Sequence, residues 1–452
     1  MTNKPVNIRE IIVGALMDIL EEEQHCHIVL RDILEKYQYL EKRDRAFISR
    51  VTEGTVENMI QIDYILEQFS SVKVKNMKPF IRNLLRMSVY QMEYMDSVPD
   101  SAVCNEAVNL AQKKGFYTLK GFVNGVLRAV GRGRGQVVYP DPQKTPRKYL
   151  SVQYSMPEWI LGKWLAQFDF STVQGICEQL RKESRTCIRC NLSRASKEQV
   201  VKRLQDQNIT VKQVPYLDYA LEISDYNYLQ ATYAFREGLF QVQDISSMLV
   251  AEVAAPKWGD YCIDVCAAPG GKSLHLSDKL NGSGCVEARD LTDYKIDLMK
   301  ENIERTQRIN MIAVRQDATV FDEKSVEKAD VLLADLPCSG LGVIGRKPDI
   351  KYKMTEARQQ ELVKLQRKIL DTVWQYVKVG GTLIYSTCTI GADENQYNVK
   401  WFLDNYPFVL ESIDPYLCEE LHSRTTKAGY IQLVPGVHDT DGFFIARFKR
   451  VK

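Results

Sequence analysis

From about Arg236 onward, five short apolar runs alternate with helical patterns. The runs are Tyr261–Val265, Gly284–Ala288, Met311–Val314, Val331–Ala334 and Gly381–Tyr385, and the intervening helical stretches include Asp293–Thr306 and Glu356–Val377. Runs this short, without strict polar alternation, are the pattern of strands covered on both faces. Their alternation with helices predicts a doubly wound, largely parallel sheet. In such a sheet ligands bind beyond the carboxyl ends of the strands, so the residues just after each run are the candidates for chemistry.

The first run leads into Cys266-Ala267-Ala268-Pro269-Gly270-Gly271-Lys272-Ser273, a glycine-rich turn before a helix. It is not a phosphate loop, because Cys266 stands where the first glycine of that motif belongs, and it is not the GxGxxG of dinucleotide folds. The second run ends at Asp290, about 20 residues beyond the turn, where a carboxylate can hold a ribose hydroxyl pair. The third is followed by Asp317, whose carboxylate could accept from an adenine amine. Helix capping and turn chemistry are the plain alternatives for these two acids. Together, a turn and two acids without a diphosphate grip describe an adenosine pocket and favour S-adenosylmethionine over NAD or ATP. The fourth run carries Asp335 and Cys338, and the fifth carries Cys388. A lone cysteine in such a protein is usually core. Two thiols and a carboxylate at strand ends on the cofactor side point instead to catalysis.

The first 130 residues read as successive amphipathic helices, with stripes through Ile8–Leu20, Val29–Tyr37, Phe47–Phe69 and Phe80–Tyr94. Between Lys113 and Lys148 lie nine basic residues and one acid, with Pro140, Pro142 and Pro146 inside, which reads as a hinge or a phosphate-backbone contact. The segment from Tyr149 to Phe235 suggests a small α+β module with a basic face. There Arg181, Lys182, Arg185, Arg189, Arg194, Lys197, Lys202, Arg203 and Lys212 outnumber Glu183, Glu198 and Asp206. Cys187 and Cys190 have the spacing of half a zinc site, but no second pair lies near, so no metal is expected. The expected boundaries are 1–135 for the helical domain, 136–235 for the linker and module, and 236–452 for the α/β domain.

The longest stretch without a charged residue, Val379–Ala392, is too short and too polar to cross a bilayer, and no secretory leader pattern is present. With an odd count of 11 cysteines, this makes a reducing cytoplasm the expected setting, with no membrane partner.

The motifs DVCAAPGGKS from Asp264, DLPCSGLGVIGRKPDIKY from Asp335, YSTCTIGADEN from Tyr385 and the closing Asp441-Gly-Phe-Phe444 resemble those of the Sun family of RNA 5-methylcytosine methyltransferases. Leu336 stands where alanine is common in that family, and Gly345-Arg346 replaces a more basic pair. The resemblance extends over nearly the whole chain. It implies an all-α domain like that of the antitermination factor NusB at the N-terminus, an RNA-binding α+β module, and a Rossmann-like, class I S-adenosylmethionine-dependent catalytic domain. It further implies that Cys388 is the nucleophile, that Cys338 assists release, and that Asp335 meets the cytosine edge. The cofactor would lie against Cys266, Ala267, Ala268, Pro269, Gly270, Gly271, Lys272, Asp290, Asp317 and Asp335. RNA, and 16S rRNA in particular, would be contacted by Lys113, Lys114, Arg132, Arg134, Arg147, Lys148 and Arg346, with the protein acting as a monomer.

The chemistry fits such residues. C5 of cytosine is a poor nucleophile until a thiolate adds at C6 and makes C5 enamine-like. The target base must also be unstacked, which suits single-stranded or looped RNA. The competing readings are an NAD-dependent dehydrogenase, a non-catalytic RNA-binding assembly factor, and the same chemistry on another RNA such as tRNA.

Overall fold

The computed structural model describes residues 6–182 and 185–452; Glu183 lies outside them. The described residues form two compact units. One comprises the chain up to Lys182 together with Ile344–Met354, and the other comprises the chain after Lys182 as far as Val343, together with Thr355–Lys452.

The first unit is helical. Helices over Ile8–Leu20, Cys26–Lys36, Lys42–Glu57, Met59–Phe69, Pro79–Tyr94, Asp100–Lys113 and Lys120–Gly133 share one apolar core. The stripes that mark these helices in the sequence are the faces that become buried, among them Ile12, Leu16, Ile48, Leu66, Leu84 and Leu127. Gly54 permits one close crossing, since a Cβ there would lie 2.1 Å from the Tyr90 ring. Three further helices, Pro146–Tyr154, Glu158–Leu165 and Phe170–Leu180, complete the N-terminal part of this unit.

The segment Ile344–Met354 leaves the second unit immediately after the Cys338 loop and packs here. Tyr352 lies against the helical core, and Lys351 donates from Nζ to the Glu57 carbonyl at 2.8 Å. Asp349 accepts from the Cys26 amide at 3.3 Å and from Lys353 at 2.7 Å. Burial pushes the Lys351 ammonium down to about 7, against the pull of Glu57.

The second unit holds two sheets. Strands β1 (Thr186–Cys190), β2 (Thr210–Gln213), β3 (Ala220–Ser224) and β4 (Phe240–Val242) form an antiparallel sheet in the order β2-β3-β1-β4. Helices over Lys197–Gln205 and Tyr233–Arg236 fall between β1 and β2 and between β3 and β4, giving a βαββαβ module. Cys187 and Cys190 sit three apart on β1, so their side chains point to opposite faces. They enter different apolar clusters and cannot share a metal.

The basic face expected of this module does not include Arg189. That side chain is fully buried, bonded to Asp278 at 3.1 Å and Gln243 at 3.0 Å. A buried guanidinium survives only with such partners, and here a carboxylate distant in sequence supplies one.

The larger sheet contains β5 (Tyr261–Asp264), β6 (Cys285–Asp290), β7 (Met311–Arg315), β8 (Ala329–Asp335), β9 (Val377–Thr387), β10 (Phe408–Leu410), β11 (Tyr430–Leu433) and β12 (Phe443–Arg450). Its order is β10-β12-β9-β8-β5-β6-β7, with β11 also paired to β12. The five apolar runs are β5 to β9, all mutually parallel. The antiparallel strands β10, β11 and β12 are not among those five runs and extend the edge beyond β9. Strand order reverses between β5 and β8, the point where a crevice opens at the carboxyl edge of a doubly wound sheet.

Candidate active site

All the nominated chemistry lies on that edge. The chain leaves β5 through a turn in which Gly270 takes φ +100°, a conformation that disfavours any side chain, and then starts the helix Gly271–Lys279. The turn is stitched to the next strand. Ala267 donates its amide to the Arg289 carbonyl at 2.8 Å, and Ala268 donates to Asp290 Oδ2 at 3.0 Å. Asp290, nearly buried, also accepts from the Leu291 amide and from Lys295, both at 2.8 Å. Asp317 accepts from the amide and hydroxyl of Thr319 through Oδ1, each at 2.8 Å, and these bonds hold its carboxyl below the usual range. The described hydrogen bonds leave its Oδ2 available. The turn, Asp290 and Asp317 thus form a polar rim on three adjacent strand ends. The helix starting at Gly271 adds leading N–H groups that lack intrahelical acceptors.

Asp264, at the end of β5, is buried and accepts from Ser273 Oγ at 2.5 Å. Burial outweighs that hydrogen bond and pushes the carboxyl up to about 7. A carboxyl whose folded value lies above its unfolded value favours the native state at low pH. That contribution is lost as the pH rises from the unfolded value toward about 7. Wild-type protein is therefore expected to lose thermal stability over that window more steeply than Asp264→Asn does. Melting curves of the two proteins across the range check this, and identical pH slopes would refute it.

The reacting groups come from β8 and β9. Lys272 Nζ meets Asp335 Oδ2 at 2.7 Å, and Ser386 Oγ donates to Asp335 Oδ1 at 2.7 Å. The Lys272 ammonium also lies 5.3 Å from the Phe443 ring centroid. Burial lowers the proton affinity of Lys272, but the Asp335 carboxylate more than compensates and holds it above the ordinary lysine value. Beyond this pair, Cys338 Sγ lies 3.1 Å from Cys388 Sγ, and the Cys388 amide donates to the Cys338 sulfur at 3.2 Å. Neither thiol is in a disulfide, and both are partly exposed. The hydrogen bond to Cys388, burial, and the Cys388 and Glu394 charges together raise the Cys338 thiol well above its ordinary value. Two thiols this close titrate as a pair, so one holds the proton when the other ionises.

A backbone clasp fixes the two loops. Gly342 donates its amide to the Cys388 carbonyl at 3.0 Å, and its own carbonyl accepts from Gly442 at 2.9 Å. A Cβ on Gly342 would lie 1.9 Å from the Gly442 carbonyl oxygen, so only glycine fits.

The structure thus brings together Cys266 to Lys272, Asp290, Asp317, Asp335, Cys338 and Cys388. The nominated RNA contacts lie elsewhere, in the helical unit. Arg132 and Lys148 are exposed. Lys113 and Lys114 pair with Glu10 at 2.5 and 2.8 Å, Arg134 pairs with Glu93 and Asp100 at 3.1 Å, and Arg147 pairs with Glu158 at 3.2 Å. Arg346 lies in the inserted segment. Reading the sequence passed over Ser386 and the buried Glu394 with its glutamines Gln359 and Gln366. The YSTCTIGADEN motif contained Ser386 and Glu394; Ser386 directly follows the fifth run and carried the strand-end signal, whereas Glu394 lies beyond β9 with no such position to mark it. Among the described residues, no group of three or more His, Cys, Asp or Glu is placed to hold a metal ion, and no helix is long and apolar enough to cross a membrane.

Known proteins match this architecture along its length. A model of the 16S rRNA methyltransferase RsmB/F family matches residues 251–449, the NusB family matches 6–132, and an RsmF/B-like ferredoxin-like domain matches 156–227. The probable ribosomal RNA small subunit methyltransferase B of Bacillus subtilis (strain 168) is 33% identical over 99% of this chain and 99% of its own. The crystal structure of PH0851 superposes with a TM-score of 0.82 over 99% of this chain and 100% of that one, at 24% identity, a likeness of fold. A methyltransferase homologue from Pyrococcus horikoshii covers 69% of this chain and 100% of its own, with a TM-score of 0.59 and 27% identity. With its NusB domain, ferredoxin-like module and methyltransferase domain in this order, the chain belongs to the ribosomal RNA small subunit methyltransferase B family and is an S-adenosylmethionine-dependent methyltransferase.

Proposed function

We propose that this enzyme methylates C5 of a specific cytidine in 16S rRNA, and the observation that carries the reading is the 3.1 Å approach of Cys338 and Cys388 beside the Asp335–Lys272 pair. The working division of the chain is a helical domain over 1–135, a linker and RNA-binding module over 136–235, and a catalytic domain over 236–452. Cys266 to Lys272, Asp290, Asp317 and Asp335 would hold the cofactor. S-adenosylmethionine supplies an electrophilic methyl group on a sulfonium.

The chain's own residues do the rest. Cys388, as thiolate, adds to C6 of the cytosine. Asp335 accepts from the N4 amine of the base, holds the ring, and favours a proton at N3 as the addition makes that nitrogen basic. Cys338 is the thiol of the pair while Cys388 is ionised. Once Cys388 is bonded to carbon, its charge no longer opposes ionisation of Cys338. Cys338 can then lose its proton to solvent and, as thiolate, take the proton from C5. The C6–sulfur bond breaks, Cys388 leaves as thiolate, and the C5–C6 double bond is restored. The partner would be RNA, with Lys113, Lys114, Arg132, Arg134, Arg147, Lys148 and Arg346 as the candidate phosphate contacts, among which Arg132 and Lys148 are exposed. The expected setting is cytoplasmic and the expected state monomeric.

Bisulfite sequencing of 16S rRNA from cells with and without the protein tests the reading. One cytidine should resist conversion only when the protein is present. An unchanged pattern, with methyl transfer to another RNA, would sink the 16S assignment. The pocket has its own test. Asp290→Ala is expected to weaken S-adenosylmethionine binding by about ten- to a hundredfold, the loss of hydrogen bonds to a charged group. Calorimetric titration of a folded variant checks this, and unaltered affinity would remove Asp290 from the pocket.

A further inference from the structure

Beside the Cys338 loop lies a buried carboxylate to which the chemistry above gives no task. Glu394 is fully buried, and the four described hydrogen bonds to its carboxylate all come from neutral donors. These are the Ser339 amide at 2.8 Å, Ser339 Oγ at 2.5 Å, Gln359 Nε2 at 3.0 Å and Gln366 Nε2 at 3.1 Å. Being donated to at every contact is the pattern of a carboxylate rather than of a carboxylic acid. Burying such a group is costly unless its lone pairs are met, and an apolar side chain would fill the space more cheaply.

The donors cluster around Cys338. Ser339 is the next residue, and Gln366 also donates to the Pro337 carbonyl at 2.9 Å. The peptide groups on both sides of Cys338 are therefore held by Glu394 and Gln366. Ser339 Oγ lies 3.0 Å from Thr389 Oγ1, which follows Cys388, so the same hydroxyl spans both loops. Gln359 and Gln366 stand seven apart on the helix Glu356–Val373, two turns along one face. Glu394 is itself fixed, because its carbonyl accepts from Tyr385 Oη and from Asn398.

We propose that Glu394 is a positioning residue for the release step: by gripping Ser339 it keeps the Cys338 sulfur against the Cys388 sulfur, where it can take the C5 proton as the C6–sulfur bond breaks. The proposal rests on the assignment of the two thiols made above. The Glu394 charge also helps keep Cys338 protonated until the adduct has formed. Cofactor binding should not depend on it, since none of the described contacts around Cys266 to Lys272, Asp290 or Asp317 involves Glu394.

The experiment uses the full-length protein, S-adenosylmethionine and an in vitro 16S rRNA transcript. Glu394→Gln keeps the volume but removes the charge and replaces one accepting oxygen by an N–H2, which cannot accept from the Ser339 amide or from the glutamine amides, so the four-bond grip is broken. The expected result is a kcat lower by about tenfold, the worth of a good hydrogen bond at the reacting centre, with S-adenosylmethionine affinity unaltered. The fraction of enzyme trapped as a denaturation-resistant RNA adduct should rise, and adding Cys388→Ala should abolish it. Ser339→Ala removes one of the four bonds, should shift the same ratio by a smaller factor, and covers the case in which Glu394→Gln does not fold. A merely structural role would lower adduct formation and turnover in proportion, leaving their ratio as in wild type, and that result in the folded variants overturns the proposal. Cys338→Ala, run alongside, separates the two possible failures. An adduct in Cys338→Ala with a wild-type ratio in the other variants overturns the Glu394 assignment alone. No adduct in any of the three overturns the thiol reading and this proposal with it.

Discussion

Cys388→Ala is expected to abolish methyl transfer and to give no protein–RNA species on denaturing gels, because no bond to C6 can form without that sulfur. Cys338→Ala is expected to accumulate such a species, since addition and methyl transfer proceed while release stalls. The double variant should lose it again. The 3.1 Å separation makes this contrast informative, because two side chains so close would behave alike if they were only packing. Structural thiols would give similar, modest stability losses in both variants, on the order of 1 kcal/mol, and an adduct in neither. An adduct that persists in Cys388→Ala and vanishes in Cys338→Ala would exchange the two roles.

Asp335→Asn is the second large effect expected. The change keeps the shape but removes the charge that Lys272 Nζ meets at 2.7 Å. It also substitutes an amide at the edge proposed to hold the cytosine. Lys272, whose side chain is 15% exposed, is left without its carboxylate. Burial, now unopposed by Asp335, should bring its proton affinity down from the raised value. Methyl transfer is expected to fall about a hundred- to a thousandfold, the range seen when one preorganised polar contact to a transition state is removed. The stability cost should be about 1–3 kcal/mol, below that of a wholly buried pair because both groups keep some solvent. Rates of labelled methyl transfer and melting midpoints check both statements. A rate within about tenfold of wild type would remove Asp335 from the reacting centre.

The parallel half of the catalytic sheet was readable because β5 to β9 are short apolar runs whose helices lie between them, so the signal is local. The same locality placed the glycine turn, Asp290, Asp317, Asp335 and both thiols at strand ends. Strands β10, β11 and β12 pair antiparallel at the sheet's edge, and no long helix separates β10 from β11 or β11 from β12, so the alternation of run and helix that marks β5 to β9 is missing there. Arg189 shows the limit of reading charge. Nothing near it in sequence announces that Asp278, 89 residues away, will take its guanidinium into the interior. Arg134 and Arg147 look like free cations until Glu93, Asp100 and Glu158 are seen beside them. Glu394 was legible as part of a motif but not as a grip on Ser339, because the fold alone brings residues 339, 359, 366 and 394 together.

Because Ile344–Met354 belongs to the helical unit while its flanks belong to the other, the polypeptide passes between the units three times, after residues 182, 343 and 354. A protease that nicked the first passage would not release the N-terminal fragment. The excursion stays clasped through Lys351, Tyr352 and Lys353 to Glu57, the helical core and Gln24. The two fragments of a nicked protein should co-elute until denaturant is added. A gene shortened to begin after residue 182 would encode a chain whose buried lysine has lost its acceptor. Recombination that exchanged the helical unit for a relative's would therefore have to carry along a stretch of sequence lying just downstream of Cys338, far from the apparent splice.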